Sequence, residues 1–178
     1  APCAPAEAAA CTQACVTDLP GPVVLRLGQA GAPDLTANAP ARVQLGKARC
    51  IRAGTDVCFL TYGPITKMAC DLAARLEKEQ GLSTAVVSVH SLKPLDAAGI
   101  SAALARFKIV AVLEEHAPYG GLGPQVKAIA WDSGARCKLR TYALKDEFLH
   151  VYGTHAELLK AHGLDPELIF HEVAALAG

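Results

Sequence analysis

At 178 residues, 52% of them hydrophobic, the chain suits one domain with a tail and is long enough to bury a real core. Seventeen basic and seventeen acidic residues cancel, which removes the electrostatic footprint expected of a nucleic-acid or anionic-membrane partner. No apolar run approaches the roughly 18 residues of a membrane span, and seven cysteines without CxxC spacing fit reduced thiols of a cytoplasmic protein rather than a disulfide framework or a metal site.

In chain order, the alanine-rich stretch from Pro5 to Thr17 predicts a helix, with proline in its first turn. Leu19-Pro20-Gly21-Pro22 breaks the chain, and Val23 to Leu27 reads as a short strand that needs neighbours this sequence does not supply. Residues Gly28 to Pro40 have the profile of a linker. From Val43 a regular α/β alternation sets in. Val57 to Tyr62 is an apolar strand, and Pro64 to Gln80 is a helix with Ile65, Met68, Ala69, Leu72, Ala73 and Leu76 on one face, ended by Gly81. Ala85 to His90 repeats the strand, and Asp96 caps a helix from Ala97 to Arg106. Ile109 to Leu113 leads through Glu114-Glu115-His116 and a glycine-rich turn into a further helix. Cys137 to Tyr142 is the last strand, Thr154 caps a helix to His162, and Asp165 caps another to Leu176. Continuous apolar strands separated by helices imply a sheet buried on both faces, so the expected fold is a three-layer α/β/α sandwich with a mostly parallel sheet.

The stretch from Glu114 to Pro124 lies where a strand hands over to a helix, the edge at which open α/β sheets bind ligands. Two readings stand side by side. Gly120, Gly121 and Gly123 could let backbone N–H groups approach an anion at a helix N-terminus, or they could simply supply the angles and close packing of a tight turn. Glu115 and His116 are candidate acid–base groups, with His90 at the end of the preceding strand as a conceivable third member. Consecutive strand-end residues alternate direction, so only one of Glu114 and Glu115 can share a face with a given target; hydrogen bonding to the glycine turn, or a domain contact, is the structural alternative. Phe148 is expected to anchor its segment in apolar packing while Asp146 caps a turn. His150, His155, His162 and His171 are too dispersed for a ligand set. No serine or cysteine nucleophile motif is present.

Several stretches in order then resemble a known family: Gly21 to Gly28, Asp56 to Gly63, Val87 to Asp96, Val112 to His116 with the following glycines, Asp146-Glu147-Phe148, and Gly163 to Glu167. Together they resemble the C-terminal part of transketolases, closest to separately encoded C-terminal subunits, with 1-deoxyxylulose-5-phosphate synthases and the beta chains of 2-oxo acid dehydrogenases as more distant relatives. The resemblance implies that residues 1–29 are the last helix and strand of a pyrimidine-binding middle domain, 30–42 a linker, and 43–178 the C-terminal α/β domain. It implies a non-catalytic, assembly-supporting role in a dimeric enzyme. Thiamine diphosphate and magnesium would be held by N-terminal and middle domains, on the same chain or on another subunit, and this chain alone would bind no cofactor and be inactive. The alanine-rich start suggests a piece of something longer. Arg26 matches a family position near substrate phosphate, whereas Gln29 stands where sugar-phosphate enzymes often carry a second arginine, and glutamine cannot supply a bidentate cation. Rival readings are a stand-alone module binding a phosphate-bearing metabolite at Gly120 to Gly123, and a regulatory subunit of another enzyme.

Overall fold

The computed structural model describes residues 1–18, 21–28, 35 and 43–178. Five strands form one sheet in the order β1-β3-β2-β4-β5: β1 (Arg49–Arg52), β2 (Val57–Thr61), β3 (Thr84–Ser88), β4 (Ile109–Leu113) and β5 (Lys138–Tyr142). β2, β3, β4 and β5 run parallel, and β1 pairs antiparallel on the outer edge of β3. The strands β2 and β4 are buried at every position, as central strands covered on both faces must be.

Period-two alternation sorts the side chains into two cores. Val57, Phe59, Ile109, Ala111 and Leu113 point to one face, where α2 (Thr66–Gln80) and α6 (Pro166–Ala177) pack, joined by Leu159 of α5 (His155–Ala161). Cys58, Leu60, Tyr62, Val110 and Val112 point to the other, under α3 (Ala97–Arg106) and α4 (Leu122–Asp132). The three-layer sandwich expected from the alternation is therefore present. Its helices end and begin where the local chemistry dictates. Gly81 adopts a left-handed φ of 68° and closes α2, the Asp96 carboxylate accepts from Gly99 N to start α3, and Thr154 and Glu157 form a reciprocal capping box on α5.

The N-terminal helix, α1 (Pro5–Thr17), spans the predicted residues. The strand expected over Val23–Leu27 is not formed: residues 22–28 carry no regular structure. Strand propensity alone does not make a strand, because the ladder needs a partner, and no described segment lies alongside to give one. The expected linker falls outside the described residues apart from Leu35. Among the described residues no helix is long and apolar enough to cross a membrane.

Candidate functional site

The helix after β2 returns on one face of the sheet and the helix after β4 on the other, so the strand order reverses between β2 and β4. In open α/β sheets the crevice at that reversal, beyond the carboxyl ends of the strands, is the usual ligand position. Here it lies between Tyr62-Gly63-Pro64 and Glu114-Glu115-His116.

Glu114 continues the alternation of β4 onto the α4 face and is 1% exposed. Its carboxylate accepts the backbone N–H of Leu122 at 2.7 Å and of Gly123 at 2.8 Å, and the Tyr62 hydroxyl at 3.2 Å. The first amides of α4, which would otherwise attract an exogenous anion, thus already hold an internal one. Burial, with Glu114 beside it, pushes the Tyr62 phenol well above its usual range, so Tyr62 stays a proton donor. The glycines explain how the carboxylate fits. A Cβ at Gly121 would fall on Glu114 Oε2, and one at Gly123 would stand 2.9 Å from Oε1. Gly120 has φ 73°. Gly121→Ala should accordingly lower stability by about 2 kcal/mol or more, since the obstacle is a pinned carboxylate; a urea unfolding curve checks it.

Glu115 points the other way. Its carboxylate pairs with His155 Nε2 of α5 at 2.9 Å, while its carbonyl accepts from the Arg26 guanidinium at 3.1 Å. His116 Nδ1 lies 2.9 Å from the Ala117 carbonyl oxygen, which places the ring proton on Nδ1. Arg26 is thereby laid across the end of β4, and Gly28 passes so close to Pro64 that a Cβ would collide with its ring. The chain's own residues 26–28 cover the switch-point edge.

His90 stands apart from Glu115 and His116. It belongs to a polar cluster under α1 that the sequence pattern does not reveal. Glu7 is 0% exposed, accepts from Cys3 N at 2.7 Å and from the Ser88 hydroxyl at 3.3 Å, and pairs with Arg49 at 3.4 Å. Burial and the Glu7 charge push the Cys3 thiol up to about 12, so it is not a nucleophile at neutral pH. His90 is 3% exposed, and among the described residues neither ring nitrogen has a partner. Burial lowers its pKa; Glu7 opposes this, and Arg49 reinforces it. The imidazole is thus held neutral in the fold. Below its ordinary pKa of about 6.5 the unfolded chain takes up a proton that the folded chain resists, so stability falls as pH drops through that value toward the lower folded one. His90→Leu should flatten this limb between pH 7 and 5 relative to the parent. Parallel profiles from thermal melts would refute the assignment.

Phe148, expected as an anchor, is 93% exposed, and its segment carries no regular structure between β5 and α5. An apolar ring without a facing helix has nothing to pack against. Val24, Leu27, Tyr119, Val151 and Tyr152 are also exposed. Tyr119, Phe148, Val151 and Tyr152 sit in loops leaving the carboxyl ends of β4 and β5, and Arg26 ties the segment of Val24 and Leu27 to the same edge.

Known proteins resemble this chain in sequence and fold. A family model described as transketolase, C-terminal domain, matches residues 46–169. An apulose-4-phosphate transketolase subunit of Phocaeicola vulgatus is 31% identical over 152 residues, 85% of this chain and 47% of that protein. A 1-deoxy-D-xylulose-5-phosphate synthase of Rhodopirellula baltica is 33% identical over 149 residues, 83% of this chain and 23% of that protein. Among solved structures, a split gene transketolase described as an inactive beta4 tetramer superposes with a TM-score of 0.84 at 26% identity, covering 99% of this chain and 57% of that one. A Pichia stipitis transketolase in complex with sedoheptulose 7-phosphate, 18% identical, shares the fold at a TM-score of 0.56 over 82% of this chain and 20% of its own. The chain spans less than half the length of these curated relatives. With the family model covering the whole sheet and the glycine turn that Glu114 closes, the chain belongs to the transketolase C-terminal domain family.

Proposed function

We propose that this chain supports domain packing and subunit assembly in a cytoplasmic, dimeric, thiamine diphosphate-dependent enzyme that moves a two-carbon ketol unit between sugar phosphates, and that it performs no chemistry by itself. In this reading residues 1–29 belong to the preceding middle domain, as its closing helix and a segment that becomes its last strand only when that domain supplies the pairing partner, 30–42 are the linker, and 43–178 the assembly domain. The carrying observation is the filled switch point: the α4 amides are held by Glu114, and residues 26–28 lie over the edge where a ligand would enter. A diphosphate brought there would meet a buried carboxylate, and among the described residues no group of three His, Cys, Asp or Glu side chains could hold a metal ion. In this reading the cofactor is held by the other domains, and no catalytic step is assigned to the described residues.

The exposed apolar residues of the same edge support a partner surface, since a row of this kind marks a protein contact more often than a solvated loop. Phe148→Ser should leave the melting temperature of the chain within about 1 °C, because the ring buries almost nothing. It should weaken association with the complementary thiamine diphosphate-binding subunit by about tenfold, as loss of an aromatic contact does. Sedimentation velocity of the mixed subunits measures this. The proposal itself is tested by calorimetric titration of the chain with thiamine diphosphate and magnesium, followed by an activity assay with and without the complementary subunit. Saturable cofactor binding by the chain alone, or full activity of the partner without it, would overturn it. A deoxyxylulose-phosphate synthase-like parent is the second reading, favoured by the 33% identity to the Rhodopirellula baltica protein, and the acceptor used by the assembled enzyme distinguishes the two.

A further inference from the structure

The opposite end of the sheet carries a cleft that the assembly reading leaves unused. It has a volume of about 420 Å³ and lies between the C-terminal ends of α3 and α4, beneath the starts of β4 and β5. The backbone brings its walls together: Lys138 N donates to the Lys108 carbonyl at 2.8 Å, which sets Lys108 beside Cys137 and Arg136, while Arg106 stands at the end of α3 two residues earlier. Three cations, Arg106, Lys108 and Arg136, and two hydroxyls, Ser101 and Ser133, line it, and among the described residues no acidic side chain does. Leu104 and Phe107 form its buried floor.

Cations at helix C-termini have an ordinary explanation, which is to complement the macrodipole. The charge balance here exceeds it. Two helix ends supply about half a negative charge each, and Asp132, the acid nearest in sequence, lies on the last turn of α4 without lining the cleft. Three positive charges leave a surplus. Arg106 is partly engaged, leaning over the Phe107 ring and donating to the Gly54 carbonyl at 3.4 Å. Among the described residues Lys108 and Arg136 form no ion pair. Lys67 and Arg75, by contrast, are paired, with Asp71 and with Glu79 and Glu167.

We propose that this cleft binds a phosphate-bearing small molecule, with Lys108 and Arg136 holding the phosphate oxygens, the hydroxyls of Ser101 and Ser133 donating to them, and the floor of Leu104 and Phe107 taking the apolar or planar remainder. Convergent cations with hydroxyl donors suit a dianion better than a single carboxylate. The site is at the far edge from the glycine turn, so it does not depend on how that edge assembles.

The test uses the full chain titrated with inorganic pyrophosphate at constant ionic strength, in parallel with acetate. Backbone amide shifts of residues 106–108 and 133–137, which line the cleft, give the readout. The proposal expects saturable binding of pyrophosphate and little response to acetate. Lys108→Ala with Arg136→Ala should weaken binding by about tenfold or more, the scale of lost charge-assisted hydrogen bonds. A control pair at nearby exposed cations, Lys127→Ala with Arg140→Ala, should leave it unchanged. All four sites are exposed, so folding survives either pair. Absence of saturation, an equal response to acetate, or equal loss in both double variants overturns the assignment.

Discussion

Glu114→Ala is expected to lower stability by about 4 kcal/mol and the Tm by about 10 °C. The carboxylate is at once the cap of α4, the partner of the Tyr62 hydroxyl and the filler of the switch point. Its removal strands the amides of Leu122 and Gly123 at a buried helix start and opens a void beside Leu122, which is itself fully buried. Glu114→Gln keeps one acceptor but turns an N–H₂ group toward an amide N–H, so about half of the loss should remain. The glycines supply an internal check. In the parent, Gly121→Ala presses a methyl onto the carboxylate; in the Glu114→Ala background that obstacle is gone and the same change should cost little. A coupling of about 1–3 kcal/mol from the double-mutant cycle is expected, and additive effects, or a Glu114→Ala melt within about 2 °C of the parent, would show that Glu114 does not hold the turn.

Much of the frame is legible from the sequence because it rests on periodicity. The alternation through Ile109–Leu113 carries on past the end of β4 and sends Glu114 to α4 and Glu115 to His155, a consequence that follows from the strand period alone. What resists reading depends on contacts distant along the chain. Glu7 looks like an ordinary first-turn acid of an exposed helix; its burial is set by Arg49 and Ser88, 42 and 81 residues away. Val23 to Leu27 has the residues of a strand, yet strand formation is a property of a pair, and no described neighbour supplies the other half. Phe148 illustrates the opposite error. Its hydrophobicity implies burial, but it sits in a loop beyond the sheet, where an aromatic ring is exposed unless another molecule covers it. The glycine turn is read only halfway. Three glycines announce a close backbone approach and the adjacent glutamates are one candidate to fill it, but the sequence leaves open whether that group is Glu114, Glu115 or an outside anion; the fold selects Glu114.

Glu7→Ala is expected to release α1 while the sheet stays folded, with a cost of about 3–5 kcal/mol confined to that helix. Alone, α1 has thirteen residues, a proline start and no side-chain cap, too little for a stable helix in water. What holds it is a narrow apolar stripe, Cys11 and Ala14 with Cys3 and Ala4 just before it, and the buried carboxylate, which draws together the Cys3 amide, the Ser88 hydroxyl and Arg49. The stripe is small and so contributes modestly, whereas each group that Glu7 satisfies becomes an unpaired polar atom once it is gone. Arg49 is partly exposed and can turn to water, so Arg49→Met should cost much less than Glu7→Ala if the backbone and hydroxyl donors dominate. Amide exchange distinguishes local from global loss: residues 5–17 should exchange near the free-helix rate in Glu7→Ala while β2 and β4 keep parent protection. Uniform loss across the sheet would make α1 part of the domain's folding core, and unchanged protection of α1 would show that its apolar stripe suffices.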